Sequence, residues 1–260
     1  MWRKILTVVA VIMLTAGIGL VLFPIISNYV GGVISNSETE KFDNSVKNII
    51  DMPFDEAVET GVIDSEGYPI DRTGKRISDL KALLKEDLDR LYSDSLNYNT
   101  SLVNNQGTPA TSDYTDAVLD LSDYGITDGV YCYISAPTIG MRLPVYLGAS
   151  DSAMSYGAAH MSYTSLPMTT ESANCAIAGH TGYIGRIFFD NLRRLNVGDR
   201  LSVKNYWETI NYKVVDEKIV AENDSSDMYI KQGRQTLTLV TCISDGEGGF
   251  DRFLAICERV

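Results

Sequence analysis

The alternation of hydrophobic and polar positions divides this 260-residue chain into three stretches. Residues 5–26 are almost wholly apolar, residues 28–125 are mostly polar, and residues 126–260 carry short apolar runs separated by turn residues. We therefore expect a membrane anchor within residues 1–27, a linker and a helical extension in residues 28–125, and one main domain in residues 126–260.

The apolar N-terminal stretch has the length and composition of a transmembrane helix. No charged residue lies between Lys4 and Glu38. At about 1.5 Å of rise per residue, the stretch can cross a hydrocarbon core of about 30 Å. Only Arg3 and Lys4 precede it as charges, so the positive-inside rule predicts a cytoplasmic N-terminus, a single pass, and an extracytoplasmic chain after about Ser27. A cleaved signal peptide is the alternative, but the run is long for one and no clear A-x-A-like site follows it.

The polar middle stretch predicts a linker, one helix and a loop. Residues 28–41 are rich in Ser, Asn and Gly and are typical of a juxtamembrane linker. Apolar residues at spacings of three and four then predict an amphipathic helix capped by Ser78 or Asp79. The residues of this stripe are Ile77, Leu80, Leu83, Leu84, Leu88, Leu91 and Tyr92. The composition of Asn104–Asp113 predicts a loop.

The C-terminal stretch predicts a mainly β domain with few helices. Short apolar or alternating runs bounded by turn residues are typical of a sandwich or a barrel. The predicted strands are Val130–Ser135, Met141–Leu147, Asn174–Ala178, Arg200–Val203, Thr209–Val215, Thr236–Thr241 and Arg252–Glu258. One helix is predicted to interrupt them at Ile187–Leu195, ended by the turn at Asn196–Asp199.

Charge and cysteine spacing exclude several functions. The formal net charge is −12 and no long Lys/Arg block occurs, so a nucleic-acid partner is not expected. The four cysteines are Cys132, Cys175, Cys242 and Cys257. They form no C-x-x-C pair and their spacings match no zinc pattern, so we expect neither a metal nor another cofactor. Their even number permits disulfides in an exported protein.

Three side chains at the ends of predicted strands could carry chemistry. Cys242 ends an alternating strand and precedes a Gly-rich acidic loop, where substrate can reach a thiol. Arg252 follows that loop, so a hairpin would return it to the thiol, where a permanent cation could favour the thiolate or hold an oxyanion. The alternatives are a small core cysteine and a surface arginine paired with Asp251 or Glu247.

The two histidines differ in context. His180 lies between glycines where the strand Asn174–Ala178 ends, which suggests a ring presented at the rim of the domain. A solvated loop histidine is the alternative. His160 lies among small and apolar residues, and we expect it to be structural. Together, Cys242, His180 and Arg252 supply the nucleophile, the acid–base group and the oxyanion stabiliser that acyl transfer requires.

These residues resemble the sortase family. Leu237-Thr-Leu-Val-Thr241-Cys242 is close to the Thr-Leu-x-x-Thr-Cys form of its signature, Ala178-Gly179-His180 is similar to its catalytic-histidine motif, and Arg252 stands where its arginine follows the cysteine. Further similar stretches are Gly129–Ile134, Leu143–Tyr146, Ser165–Pro167 and Phe189–Leu195 followed by Val197-Gly198-Asp199. The resemblance covers about residues 126–260.

The resemblance is strongest to the pilin-polymerising, class C-like type. The long helical extension and the Gly157–His160 and Thr164–Pro167 stretches carry it. Class C members commonly have an Asp-Pro-aromatic lid. Here Asn104–Tyr114 has Pro109 but no such triplet, and Asp51-Met-Pro-Phe54 is an imperfect match in another place. The extension is therefore a candidate lid without the family's lid motif.

The resemblance implies a fold, a reaction and partners. The fold would be a closed or nearly closed mixed β-barrel of the sortase type. Cys242 would cleave an LPxTG-like sorting signal on a secreted surface protein or pilin through an acyl-enzyme. The acyl group would pass to an amine, either a pilin lysine or a cell-wall peptide, with His180 and Arg252 assisting. Thr241 and Ala178 would contact the substrate.

Other classes of protein fit less well. Resemblance to papain-like proteases would place the cysteine before the histidine, the reverse of the order here. L,D-transpeptidases typically have Gly-Cys-x-Arg, which Val240-Thr-Cys-Ile-Ser lacks. An anchored extracytoplasmic β-domain that binds or supports the cell wall would leave Cys242, His180 and Arg252 unexplained. Such a module should keep its function when a methanethiosulfonate reagent blocks Cys242.

Overall fold

The computed structural model describes residues 2–107 and 112–260. Within them, eight strands close into a mixed β-barrel with few helices, preceded by one long N-terminal helix. The predicted fold class is confirmed. Around the barrel the strands follow the order β1-β2-β3-β4-β7-β8-β6-β5. These strands are β1 (Val130–Ala136), β2 (Met141–Leu147), β3 (Ala158–His160), β4 (Ala173–Ala178), β5 (Arg200–Lys204), β6 (Thr209–Val220), β7 (Gln235–Ser244) and β8 (Phe250–Arg259).

The helices are α1 (Trp2–Lys47), α2 (Phe54–Glu59), α3 (Lys85–Asn105) and the single turn α4 (Asp151–Met154). β2 pairs with β3 and β4 pairs with β7 in parallel, and the other neighbouring strands are antiparallel. The barrel interior is an apolar core, and α1 and α3 pack on its outside through Phe42, Leu88 and Leu91. Burying side chains of this size contributes about 1.5–3 kcal/mol each.

All seven predicted strands are present, with ends that differ by a few residues. The prediction missed β3 because Ala158–His160 is three residues long and has no alternation to detect. The predicted helix at Ile187–Leu195 is wrong, since only a 3₁₀ turn occurs there, at Leu192–Arg194. Phe188 and Phe189 are each buried against the barrel. The carboxylate of Asp190 accepts hydrogen bonds from the backbone N–H groups of Gly182 and Phe188, which favours a compact loop over a helix.

The predicted linker at residues 28–41 is also wrong, because α1 continues through it without a break. Gly31, Ser35, Thr39 and Phe42 are buried on one face of the helix. A Cβ atom on Gly31 would lie 2.5 Å from the carbonyl oxygen of Gly185, so only glycine allows this close approach. Tertiary contact through small residues therefore outweighs their low helix propensity.

The second half of α1 is held to the barrel by charge as well as by packing. Asp43 accepts hydrogen bonds from Arg142 at 2.8 Å and from Lys204 at 2.5 Å. Burial opposes ionisation of this carboxyl, but the bond and charge of Lys204 and the charge of Arg142 outweigh it and hold the pKa of Asp43 below its usual value. The neighbouring Phe42 ring meets the Tyr133 ring edge-on at 5.7 Å.

The amphipathic helix begins later than predicted, at Lys85 rather than after Ser78 or Asp79. Ile50 pairs with Leu84 as a parallel bridge, and its carbonyl accepts the N–H of Lys85. Leu84 is thereby held extended, so the helix starts one residue on. Of the predicted loop Asn104–Asp113, the first two residues end α3. Residues 108–111 lie outside the described residues.

The first half of α1 makes a different kind of surface. Every residue from Ile5 to Ile26 is exposed. Among the described residues, α1 is the one helix long and apolar enough to cross a membrane.

Candidate active site

A hairpin between β7 and β8 brings Cys242 and Arg252 together. The side chain of Asp245 closes its turn by accepting the N–H groups of Glu247 at 2.8 Å and Gly249 at 2.9 Å. The two strands then pair in antiparallel register with Cys242 opposite Arg252. Along β7 the residues are buried up to Thr241 and become half-buried at Cys242. The thiol therefore lies where the strand leaves the core.

The guanidinium of Arg252 bridges the thiol and a carboxylate. Its Nη1 donates to Cys242 Sγ at 2.9 Å, and its Nη2 donates to Glu222 Oε1 at 2.7 Å. Glu222 follows the end of β6, whose last residue, Val220, pairs with Arg252. Both Nη atoms of the planar guanidinium thus have a partner, so the orientation of the Arg252 side chain is restricted.

His180 reaches the same region along the neighbouring strand. β4 pairs in parallel with β7, with Ala178 beside Val240, and the N–H of Gly179 donates to the Val240 carbonyl at 3.1 Å. His180 and Cys242 each come two residues after this last pair of the ladder. Parallel pairing therefore places both side chains at the same end of the barrel, although they are far apart in sequence.

The turn that carries His180 is tied to β7 by a threonine. Thr241 Oγ1 donates to the Gly179 carbonyl at 2.7 Å and lies 2.6 Å from Thr181 Oγ1. A Cβ atom on Gly179 would lie 2.7 Å from the Phe189 ring, so the turn requires glycine before the histidine. Thr241 is buried. Its hydroxyl orients the His180 turn, and the substrate contact expected of Thr241 remains a prediction.

The His180 ring lies on an aromatic neighbour. It stacks on the Tyr183 ring with centroids 5.4 Å apart and planes at 15°. The His180 carbonyl accepts the N–H of Phe189 at 2.9 Å, which closes the loop that follows. The imidazole is half-buried, so it is held in place yet open to a ligand in the cleft.

A cleft of about 240 Å³ joins these groups. Cys242, His180 and Arg252 all line it, as do Ala178 and Thr241. Its remaining walls combine apolar, neutral polar and acidic residues, namely Tyr114, Ala149, Asp151, Met154, Met161, Gly179, Glu222, Asn223, Asp224, Ser225, Met228 and Val240. A larger cleft, of about 990 Å³, lies between the second half of α1 and residues 61–83 but contains no thiol or imidazole.

His160 has the opposite environment. It is completely buried, and its Nε2 lies 3.0 Å from the Thr164 carbonyl and 3.2 Å from the Ser165 carbonyl. Burial lowers the pKa of His160 to about 4, although the bonds to the two carbonyls oppose the shift. This ring is neutral at physiological pH and is part of the core.

The remaining cysteines are also in the core. All four cysteines are free thiols, and Cys132, Cys175 and Cys257 are buried. Burial raises the pKa of Cys257 to about 12 and raises the pKa values of Cys132 and Cys175 as well. These three groups stay protonated and are shielded from solvent, so Cys242 is the accessible thiol.

A family model for the sortase domain matches residues 134–260. Residues 134–260 form a sortase domain. A comparison with curated proteins found no match.

Solved structures of class C sortases resemble this chain over most of its length. Sortase C1 of Streptococcus agalactiae in complex with MTSET is 26% identical, with a TM-score of 0.59 over 80% of this chain and 96% of that chain. A pilus-related sortase C of Group B Streptococcus is 29% identical, with a TM-score of 0.59 over 68% and 90%. Sortase C-1 of Streptococcus pneumoniae is 28% identical, with a TM-score of 0.60 over 68% and 91%. The resemblance to the sortase family and to its class C-like type is confirmed, and the domain at residues 134–260 matches a family of transpeptidases.

Sequence reasoning missed several residues of the sortase cleft. Glu222 follows a strand that is longer than predicted, and its position, like that of His180, is a polar residue just past a strand end. Tyr183 lies in the turn after His180, and its ring stacks on the imidazole. An aromatic residue three positions after a candidate histidine could have predicted this contact. Tyr114 and Met154 come from distant segments, and no local pattern pointed to them.

Proposed function

We propose that this sortase is a membrane-anchored cysteine transpeptidase in which Cys242 is the nucleophile, His180 the acid–base group and Arg252 the oxyanion stabiliser. The observation that carries the proposal is the 2.9 Å contact between Arg252 Nη1 and Cys242 Sγ at the mouth of the cleft that His180 also lines. A cation against the one accessible thiol favours attack by the sulfur, since negative charge there is stabilised.

The first half-reaction forms an acyl-enzyme. The Cys242 thiol gives its proton to His180, and the sulfur attacks the carbonyl carbon of the Thr–Gly bond in an LPxTG-like sorting signal. The carbonyl oxygen becomes negatively charged. The forked donors of Arg252 lie beside the sulfur and can hold that oxygen. The C–N bond breaks as His180 gives a proton to the departing amine, leaving the substrate as a thioester on Cys242.

The second half-reaction transfers the acyl group. An incoming amine, from a pilin lysine or a cell-wall peptide, gives its proton to His180 and attacks the thioester carbon. The C–S bond breaks, the sulfur of Cys242 is released with its electron pair, and an amide forms. Asp151, Glu222 and Asp224 line the cleft, and their charge attracts a cationic amine.

The same proposal includes the anchor. The exposed apolar half of α1 would cross the membrane once, with the N-terminus inside and the barrel on the extracytoplasmic face. The partners would be surface proteins or pilins that carry the sorting signal.

The test uses the full chain in detergent with an LPxTG-type peptide and hydroxylamine as the amine. We expect hydroxamate formation by the wild type and none by Cys242→Ala, because no other accessible thiol remains. Cys257→Ala is the matched control, and its activity should be unchanged per folded molecule because this thiol is buried. Hydroxylamine-dependent product that persists in Cys242→Ala would refute the proposal. Mass spectrometry of the trapped thioester would identify the peptide.

A further inference from the structure

The loop that follows His180 presents apolar side chains to solvent. Ile184 is 81% exposed, and Tyr183 and Ile187 are 39% and 44% exposed. The N–H of Arg186 donates to the Tyr183 carbonyl, and Gly185 has a φ of +90°, so residues 183–186 form a tight turn with Ile184 at its tip. Turn tips are usually polar. An isoleucine here contributes nothing to the core.

The turn is rigid as well as exposed. The carboxylate of Asp190 accepts the N–H of Gly182 on one side and that of Phe188 on the other, at 2.8 and 3.0 Å. Phe188 is buried beneath it. Its apolar tip is therefore a fixed surface of the barrel.

This turn touches α1 where the apolar run of that helix ends. A Cβ atom on Gly185 would lie 2.7 Å from Ser27 Oγ, and one on Gly31 would lie 2.5 Å from the Gly185 carbonyl oxygen. Residues 5–26 of α1 are apolar and exposed, and they span about 33 Å at 1.5 Å per residue, close to the thickness of a hydrocarbon core. The outer edge of the bilayer would then fall at about Ser27, directly beside Gly185.

The charges around the turn suit a lipid surface. Residues 181–187 contain no acidic residue, although the chain as a whole has a net charge of −12. Their one charged side chain is Arg186, whose Nη1 donates to the carbonyl of Tyr156, itself 56% exposed. Tyrosine and arginine are favoured at the level of lipid headgroups, with isoleucine in the acyl region below them.

We propose that the turn Tyr183–Ile187 inserts into the outer leaflet as a second membrane contact beside α1, with Ile184 at the deepest point. The inference rests on the proposed anchoring of α1 and adds a lipid contact to the barrel itself. Because the Tyr183 ring stacks on the His180 ring, the same contact connects the bilayer to the loop that carries the imidazole. The His180 end of the barrel would therefore face the membrane.

Fluorescence quenching by brominated phosphatidylcholine tests this contact in the reconstituted full chain. Trp2→Phe provides the background, with Trp207 as a constant baseline. In that background Ile184→Trp reports the turn, and Leu14→Trp reports the middle of the apolar run. Ile77→Trp is the matched control because Ile77 is 66% exposed and lies far from the expected bilayer edge. It lines the larger cleft beside Lys47, and Lys47 lies about 30 Å along α1 from Ser27.

We expect Ile184→Trp to be quenched most by bromine near the headgroups, Leu14→Trp most by bromine deep in the acyl chains, and Ile77→Trp by neither. An unquenched Ile184→Trp beside a quenched Leu14→Trp would overturn the second contact and leave the anchor in place. If Leu14→Trp is also unquenched, the anchoring itself fails and the inference fails with it. Equal quenching of Ile184→Trp and Ile77→Trp would show non-specific adsorption and would also refute it.

Discussion

The same two residue types occur in two regions of this barrel with opposite properties. The interior holds His160 and three cysteines, all buried, with the pKa of the imidazole lowered and those of the thiols raised. The cleft holds His180 and Cys242, both half-buried, and the thiol contacts a guanidinium.

Depth along a strand accounts for this difference. β4 and β7 are buried along most of their length, and both leave the core near their last parallel pair, Ala178 with Val240. Cys175 lies on β4 before that point, whereas His180 and Cys242 lie just past it. Burial disfavours the charged forms that nucleophilic and acid–base chemistry require, so only residues past the buried part of each strand can perform it.

The largest contrast should be between the two histidines. His180→Ala should lower kcat by about 10²–10⁴-fold, the usual contribution of a general acid–base group. His160→Gln should leave turnover per folded molecule unchanged, since His160 does not reach the cleft. Both are measured with the peptide and hydroxylamine, with the folded fraction determined by circular dichroism. A well-folded but inactive His160→Gln would reverse the two roles.

Removing the positive charge of Arg252 should have the next largest effect on kcat. Arg252→Ala should cost about 2.7–4 kcal/mol of transition-state stabilisation, or about 10²–10³-fold in kcat. Arg252→Lys should keep the fold and peptide binding yet lose most of kcat, because lysine retains the charge without the fork.

Arg259→Ala is the control for this pair of variants. Arg259 lies on the same strand but is exposed and bonded to Gln235. An exposed contact of this kind is worth about 0–1 kcal/mol, so kcat should be unchanged. A near-wild-type kcat for Arg252→Ala would remove Arg252 from the site and leave backbone amides as the oxyanion donors.

The interior histidine should influence stability rather than turnover. The pKa of His160 is about 4 in the folded chain and about 6.5 when unfolded. Between these values the unfolded chain binds the proton first, so the free energy of unfolding should fall as the pH is lowered from about 6.5 to 4, by about 3 kcal/mol in total. Urea unfolding across this range should show a shallower pH dependence for His160→Gln. Equal slopes for the two proteins would contradict the buried neutral imidazole.

The smallest effect should come from Glu222, which we regard as a positioning residue for Arg252. Its side chain is 63% exposed, so its ion pair contributes about 1 kcal/mol at most. Glu222→Gln should lower kcat by less than about tenfold and leave KM unchanged, and added salt should reduce the difference from wild type because exposed charges are screened. A hundredfold loss would show that Glu222 contacts the substrate directly.

Elements that depend on neighbouring residues were predicted from the sequence, and elements that depend on tertiary contacts were not. Seven strands were predicted because alternation and turn residues are written in neighbouring positions. The helix at 187–195 was wrong because Asp190 binds backbone groups on both sides of a loop, a contact that periodicity cannot reveal. The linker predicted at residues 28–41 was wrong because Gly31, Ser35 and Thr39 pack closely on the barrel. Glu222 was missed because β6 extends five residues beyond its predicted end, from Val215 to Val220.

The sequence by itself determined the mainly β class, the apolar run suited to a membrane, and the three polar residues near strand ends that define the candidate site. These follow from patterns within short segments and from the hydrophobic effect acting on them. Only the tertiary structure decided that β4 lies parallel to β7, that Arg252 bonds to both Cys242 and Glu222, and that the His180 loop touches α1 where its apolar run ends. Such contacts depend on which surfaces meet once the barrel has closed, and that information is spread over the whole chain.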